Sequence, residues 1–568
     1  MTREYVRGRV VALAGIVVLQ LIQTLSSLFL PSLNARIIDE GISAGNLALI
    51  WRIGFVMVAV AAVQALCSAG AIFLAARTAM GQGQWLRERV FRHVQAFSSA
   101  DMRAFGAPSL ITRCTNDVQQ IQMVVFLIYE IMLVAPLMGI GGVVMAVRED
   151  VPLSGLLLVV VPVLAVSVGI IMARLSPRFK AQQKAIDALT DIFRSQLAGV
   201  RVIRAFRRQG TERRRYGEAN ERLRGIALSI GALFALMFPV VQLIVTFSQV
   251  AVVWVGAGRI EAGAMDVGSL TAFLNYLILI LMSVMMGSFV FTMIPRAQVC
   301  AQRIGDVLAH EPTVEGGTRH VHGPLRVRLE GAEVRYGDAA KPVLAALDLE
   351  FKPGETTAII GSTGSGKSTL VSLLPRLRDP SSGRVSVNGE DAREVDLDEL
   401  RRRIAYVPQR AYLFSGTIAQ TVAASEPAEP LRVWRALRAA QAEDFVRDLP
   451  QGIDTRVEAG GSNFSGGQRQ RLAIARALYR MADLYVFDDA FSALDYATDA
   501  ALRSGLRDHV GPDAAVVIVA QRIATIRHAS TIVVLEHGRV VGRGNHDQLV
   551  ASCETYREIV RSQTEEAA

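Results

Sequence analysis

Residues 356 to 374 read TTAIIGSTGSGKSTLVSLL. The first five, Thr356 to Ile360, are an apolar run that reads as a buried strand, and the residues after the lysine read as a helix. Between and into these stand Gly361, Ser362, Thr363, Gly364, Ser365, Gly366, Lys367, Ser368 and Thr369. Glycines here let backbone N–H groups wrap phosphate oxygens. Lys367 neutralises the β- and γ-phosphates, and the Ser368 hydroxyl ligates Mg²⁺ at the positive end of a helix. With both flanks in place, the stretch is a phosphate-binding loop and predicts an α/β fold around a nucleotide.

A nucleoside triphosphate site of this kind takes a second metal ligand from the end of an apolar strand, and ADLYVFDDA supplies Asp488 after Leu484 to Phe487. Upstream, LRVRLEGAEVRY alternates apolar and polar residues as a half-buried strand does, and strand and helix patterns then interleave to the end. Residues 324 to 568 therefore form a water-soluble α/β domain. Before it, HEPTVEGGTRHVHGP has no apolar period and reads as a linker over residues 309 to 323.

The remaining 308 residues have a different solvent. The whole 568-residue chain is 51% hydrophobic, with a mean hydropathy of +0.32, so a wholly soluble protein is excluded. Residues 10 to 35 carry no charge, whereas residues 201 to 224 carry nine arginines. Six apolar segments, Val10 to Leu33, Ile50 to Ala76, Val118 to Val147, Leu153 to Leu175, Ile226 to Ala257 and Val267 to Ile294, are each long enough to cross a hydrocarbon core of about 30 Å. The first is too long for a signal-peptide core and reads as a retained anchor.

Basic residues gather in two of the connections, six arginines over residues 77 to 116 and fourteen Lys+Arg over 174 to 224. The other three connections hold one arginine each. The positive-inside rule places the long connections, both termini and the α/β domain on the cytoplasmic side. The long connections lack turn clusters and read as helical extensions beyond the bilayer. The net charge of +9 belongs to those loops, so nucleic acid is not a partner. Cys67, Cys114, Cys300 and Cys553 stand far apart, which suits a reducing compartment and neither a zinc site nor a disulfide framework.

Three further pieces carry a resemblance: Tyr336, YVPQ ending in Gln409, and NFSGGQRQRLAIARAL at residues 463 to 478. The last resembles the signature of ATP-binding cassette (ABC) transporters, with Phe464 where Leu is usual. The resemblance covers the whole chain, since six helices followed by one nucleotide-binding domain is the layout of an exporter-type (type IV) half-transporter. It implies ATP and Mg²⁺ as cofactors. Tyr336 would stack on adenine, worth about 1–3 kcal/mol. Ser368, Gln409 and Asp488 would surround Mg²⁺, and Gln409 would also take a catalytic part by sensing the γ-phosphate. Ser465, Gly466, Gly467 and Gln468 would meet the γ-phosphate of nucleotide held by a second subunit, and SALD, ending in Asp495, would be the loop that crosses between subunits. Ala100 to Phe105 and Phe206 to Glu212 would be the two coupling helices.

Two positions depart from the family pattern. Asp489 stands where the family has Glu as general base, and Gln521 stands where it has the switch His. Asp is one methylene shorter, and misplacement on the scale of about 1 Å costs up to ~10²-fold in rate. Gln cannot carry a proton. The chain thus resembles the degenerate-site subunit of actinobacterial heterodimeric multidrug-type exporters, whose partner would supply the intact Glu and His.

The implied function is ATP-driven export of small amphipathic compounds from the bacterial plasma membrane. Specific lipid, lipopeptide or siderophore transport and an ATP-gated membrane regulator are the alternatives. Met282, Met285, Met286, Phe289, Phe291 and Met293 of the sixth helix suit an adaptable apolar cavity, and equally a lipid-facing surface.

Overall fold

The computed structural model describes residues 5, 7–337, 341–424, 426–492 and 494–565. The chain divides into two compact units: residues 1–95 with 107–310, and residues 96–106 with 311–568.

Among the described residues, the first unit is built from six long helices: α1 (Val10–Ile42), α2 (Leu47–Gln95), α4 (Ala107–Glu149), α5 (Val151–Ala198), α7 (Gln209–Glu261) and α8 (Val267–Ala309). Two short helices interrupt the series, α3 (Ser99–Phe105) after α2 and α6 (Val200–Ala205) after α5. Each long helix holds an 18-residue stretch of mean hydropathy 2.0 to 2.9. At 1.5 Å per residue, the 53 residues of α7 span about 80 Å, well beyond a bilayer, so the arginine-rich connections are helical as their composition predicts. Large side chains such as Phe55, Phe238 and Trp254 remain exposed along α2 and α7. A surface of this kind is tolerable in lipid and not in water. This is a multi-pass membrane protein.

Within the unit, α1 packs on α2 and α8, α4 on α8, and α5 on α7. Small residues ease the closest approach: a Cβ on Gly141 would stand 2.3 Å from Leu28 Cδ1, so its absence leaves room for the Leu28 side chain between α4 and α1. The buried Tyr276 hydroxyl donates to the Leu28 carbonyl at 2.9 Å and lies 2.7 Å from Ser32 Oγ. Asp150, between α4 and α5, accepts the Leu153 N–H at 2.7 Å and the Arg259 Nε–H at 2.8 Å. Its side chain is 4% exposed, and removing one partner of a buried ion pair costs about 3–5 kcal/mol.

The second unit contains two main sheets. The antiparallel one has the order β2-β1-β4-β5, from β1 (Val327–Val334), β2 (Leu344–Phe351), β4 (Ser382–Val387) and β5 (Glu390–Asp391). The other has the order β12-β11-β3-β10-β9-β6, from β3 (Thr356–Ile360), β6 (Ile404–Val407), β9 (Leu484–Asp488), β10 (Ala515–Val519), β11 (Thr531–Glu536) and β12 (Arg539–Gly544). A two-residue ladder joins β7 (Gly416–Thr417) to β8 (Arg456–Val457). Every residue of β9 is buried, as expected of a central parallel strand covered on both faces. All strands of the large sheet but β12 run parallel, so the loops at their carboxyl ends open along one edge, where open α/β sheets bind ligands.

Two stretches gain detail from the structure. Residues 310–323, within the stretch read as a linker, form no helix or ladder strand. Gly317 N–H donates to Val395 O at 3.0 Å, Arg319 N–H to Glu394 O at 2.9 Å, and Asp396 N–H to Arg319 O at 2.8 Å, so the polar run is tied into the second unit by backbone hydrogen bonds. The second short helix, expected at Phe206 to Glu212, lies six residues earlier. Gly199 breaks α5, α6 occupies Val200–Ala205, and Arg207, at φ 53°, ends it before α7 begins at Gln209.

Candidate functional site

The phosphate loop leaves β3 at Gly361 and enters α9 (Lys367–Leu373) through Gly366, whose φ of 102° strongly disfavours any other residue. A Cβ at Gly361 would stand 2.0 Å from Leu535 O, so the loop is pressed onto the end of β11. The Lys367 ammonium turns back on the loop and donates to Gly361 O at 2.7 Å and Ser362 O at 2.8 Å. Its burial lowers its pKa, an effect opposed by Asp489 and Asp488. Among the described residues Ser365 Oγ is buried without a hydrogen-bond partner. A cation folded over a turn with an unsatisfied buried hydroxyl and a glycine hinge fits a polyphosphate.

Asp488 closes the strand β9 opposite. Ser368 Oγ donates to its Oδ1 at 2.9 Å and Tyr406 Oη to its Oδ2 at 3.2 Å. Burial raises the Asp488 pKa against these two donors. A hydroxyl and a carboxylate in contact are hard oxygen ligands that fit Mg²⁺. When bound, that ion would offset the charge of the β- and γ-phosphates.

Asp489 sits at φ 51°, its N–H donating to Val519 O at 3.1 Å and its carbonyl accepting Ser492 Oγ–H at 2.8 Å. Two amides converge on one carboxylate oxygen: Gln521 Nε2 donates to Asp489 Oδ2 at 2.8 Å and Gln409 Nε2 donates to the same atom at 3.2 Å. Burial raises the Asp489 pKa, while the two amides lower it. Gln521 is itself held from behind, its backbone carbonyl accepting Gln563 Nε2–H at 2.6 Å.

Tyr336 follows β1, with its hydroxyl 3.1 Å from Thr369 Oγ1 of α9, and 40% of the residue is exposed. The signature occupies the start of α10 (Gly466–Tyr479). Ser465 is its N-cap, forming a box in which Gln468 N–H donates to Ser465 Oγ at 3.3 Å and Ser465 N–H to Gln468 Oε1 at 2.9 Å. A Cβ at Gly466 would meet nothing within 4 Å, so this chain's own packing does not require glycine there. Phe464 is buried and meets Phe445 edge-on at 6.5 Å, which accounts for the larger ring in place of Leu. Among the described residues no hydrogen bond or ion pair links Ser465 to Gln468 with the phosphate loop. Asp495 caps the next helix by accepting Thr498 N–H at 2.9 Å. Its neighbour Ala493 in SALD lies outside the described residues.

Three side chains near these groups were given no role by the sequence. Tyr406 lies in the YVPQ stretch, but its bond to Asp488 depends on β6 pairing beside β9. Arg378 and Arg103 lie over the Tyr336 ring, at 4.2 and 5.6 Å from its centroid. In the membrane unit, an apolar groove of about 510 Å³ runs between α4, α5 and α8. On α8 it is lined by Ile280, Ser283, Val284, Gly287 and Val290, and by none of that helix's described methionines. Met282 and Phe289 are exposed, Met285 packs on the unit's core, and the Phe291 side chain lies outside the described residues.

Comparison with known proteins bears on the whole chain. The family model for the ABC transporter transmembrane region matches residues 13–284, and the ABC transporter model matches residues 344–492. An uncharacterised ABC transporter ATP-binding protein of Mycobacterium tuberculosis is 46% identical over 573 aligned positions, covering 99% of this chain and 98% of that protein. The chain belongs to the ABC transporter family. It carries a membrane region and one ATP-binding domain, and its activity is ATP hydrolysis coupled to transport. A multidrug efflux ATP-binding/permease protein of M. tuberculosis is 32% identical over 98% of this chain and 46% of its own length, and an ATP-dependent lipid A-core flippase of Ralstonia nicotianae is 30% identical over 92% and 89%. In fold, the chain is similar to a bacterial Atm1-family ABC exporter with ATP bound, with a TM-score of 0.83 at 23% identity over 98% of this chain and 99% of that one.

Proposed function

We propose that this chain is one half of a heterodimeric exporter of small amphipathic compounds, drug-like or lipid-like, in the bacterial plasma membrane. Its own phosphate loop forms an ATP site that retains nucleotide longer than it hydrolyses it. The observation that carries this reading is the pair of amides on Asp489 Oδ2. A general base needs a lone pair aimed at the attacking water. Here the shorter carboxylate is held back by two donors, one of which stands where an ionisable imidazole is usual.

In this reading Lys367 and the backbone of Gly361 to Gly366 hold the phosphates. Ser368, Gln409 and Asp488 hold Mg²⁺, with Tyr406 fixing the Asp488 carboxylate, and Tyr336 stacks the adenine. Ser465, Gly466, Gly467 and Gln468 serve the partner's nucleotide, a role supported by the open space at Gly466. The bare second coupling helix also supports a partner: α6 has no buried residue, and Val202 and the adjacent Phe206 are 60% and 73% exposed. An amphipathic substrate is supported by the relatives named for multidrug efflux and lipid flipping, and by a groove that is apolar among the described residues apart from the hydroxyl of Ser283. Both termini and the ATP-binding domain lie in the cytoplasm in this reading, on the strength of the two arginine-rich connections.

The test is purification of the chain alone and with the ABC half-transporter it assembles with, followed by ATPase assays against a panel of lipophilic drugs, lipids and peptides. Substrate-stimulated hydrolysis only in the mixed dimer is the expected result. A dimer of this chain alone with vigorous, stimulated turnover would remove the heterodimer.

A further inference from the structure

The helix α3 is joined to α2 through residues 96–98 and to α4 through Gly106, yet residues 96–106 belong to the compact unit that holds the ATP site. Its anchorage is specific. Asp101, 2% exposed, accepts hydrogen bonds from Ser98 N–H at 2.9 Å, Thr313 N–H at 3.1 Å and Thr313 Oγ1–H at 3.1 Å. Ser98 Oγ lies 2.6 Å from Thr313 Oγ1, and Phe97 stacks on Phe105 at 5.6 Å. This small clasp fixes the direction in which α3 presents its remaining side chains. One of them, Arg103, lies with its guanidinium carbon 5.6 Å from the centroid of Tyr336.

Arg378 lies over the same ring at 4.2 Å, and its pKa is lowered by burial, with Arg103 adding to the effect. Among the described residues neither arginine forms an ion pair. Two guanidinium groups thus share one aromatic ring. That ring is one contact away from the phosphate-loop helix, since the Tyr336 hydroxyl meets Thr369 of α9. Guanidinium planes stack on aromatic and purine faces alike, so a base laid at this ring meets the same two groups.

We propose that Arg103 is part of the adenine end of this chain's own ATP site, a further binding residue contributed by α3. The proposal rests on the assignment of Tyr336 as the adenine platform. Arg103 acts here as a binding and positioning residue, and chemistry at the γ-phosphate does not require it.

The test uses the assembled transporter and measures the ATP concentration that half-protects this chain from photolabelling by 8-azido-ATP. Arg103→Ala, an exposed substitution, is expected to raise that concentration about three- to tenfold, the range of one cation–π contact. It should have no further effect in a Tyr336→Ala background, and should leave half-protection by inorganic tripolyphosphate, which has no base, unchanged. An equal loss in both backgrounds, an equal loss for tripolyphosphate, or no loss at all would overturn the proposal. If Tyr336→Ala itself leaves protection by ATP unaltered, the platform assignment fails first and the proposal fails with it.

Discussion

The roles proposed for Lys367, Ser368 and Asp488 rest on charge and hydroxyl chemistry at a strand–helix junction, and the structure brings Ser368 Oγ and Asp488 Oδ1 to 2.9 Å. Lys367→Ala is expected to abolish azido-ATP labelling of this chain, with labelling at wild-type strength as the contrary result. Asp489 and Gln521 were equally legible as departures, but their mutual geometry was not. That both Gln521 and Gln409 donate to the same oxygen depends on β6, β9 and β10 lying side by side, which no local spacing encodes. Asp489→Glu combined with Gln521→His should raise hydrolysis at this site by about tenfold or more in a background where the partner's own base is removed, as single-turnover ATPase assays would show.

Among the elements, the six long helices were visible as apolar runs because the bilayer imposes a length, whereas the two short helices between them were legible only through the family pattern. The first begins within one residue of its expected start, since Ser98 and Asp101 form a capping box that opens α3. The second was displaced because its limits are set by Gly199 and by the positive φ of Arg207, neither of which stands out in a run of arginines. The anchorage of α3 to Thr313 was invisible, being a contact between residues 212 apart. Asp101→Ala removes both the cap and this tie. A lost cap alone costs about 1 kcal/mol, so backbone amides of residues 98–106 should exchange with solvent at least about fivefold faster while those of β9 do not change. Equal exchange in both segments would contradict the clasp. In the membrane unit, Asp150→Ala leaves Arg259 without its partner and is expected to lower the yield of folded, detergent-stable protein markedly, by size-exclusion chromatography.

At the scale of the whole molecule, the proposed cycle is asymmetric. This chain's phosphate loop is served by Asp489 and Gln521, while its signature, Ser465 to Gln468, is intact, so its contribution to rapid hydrolysis would come through the partner's nucleotide. The most direct measurement is steady-state ATPase of the assembled transporter carrying either Asp489→Ala or Ser465→Arg, each with the partner unchanged. Asp489→Ala is predicted to keep most of the activity and Ser465→Arg to lose most of it, by blocking the γ-phosphate end of the partner's site. Loss of turnover with Asp489→Ala, together with its survival in Ser465→Arg, would contradict the asymmetric cycle.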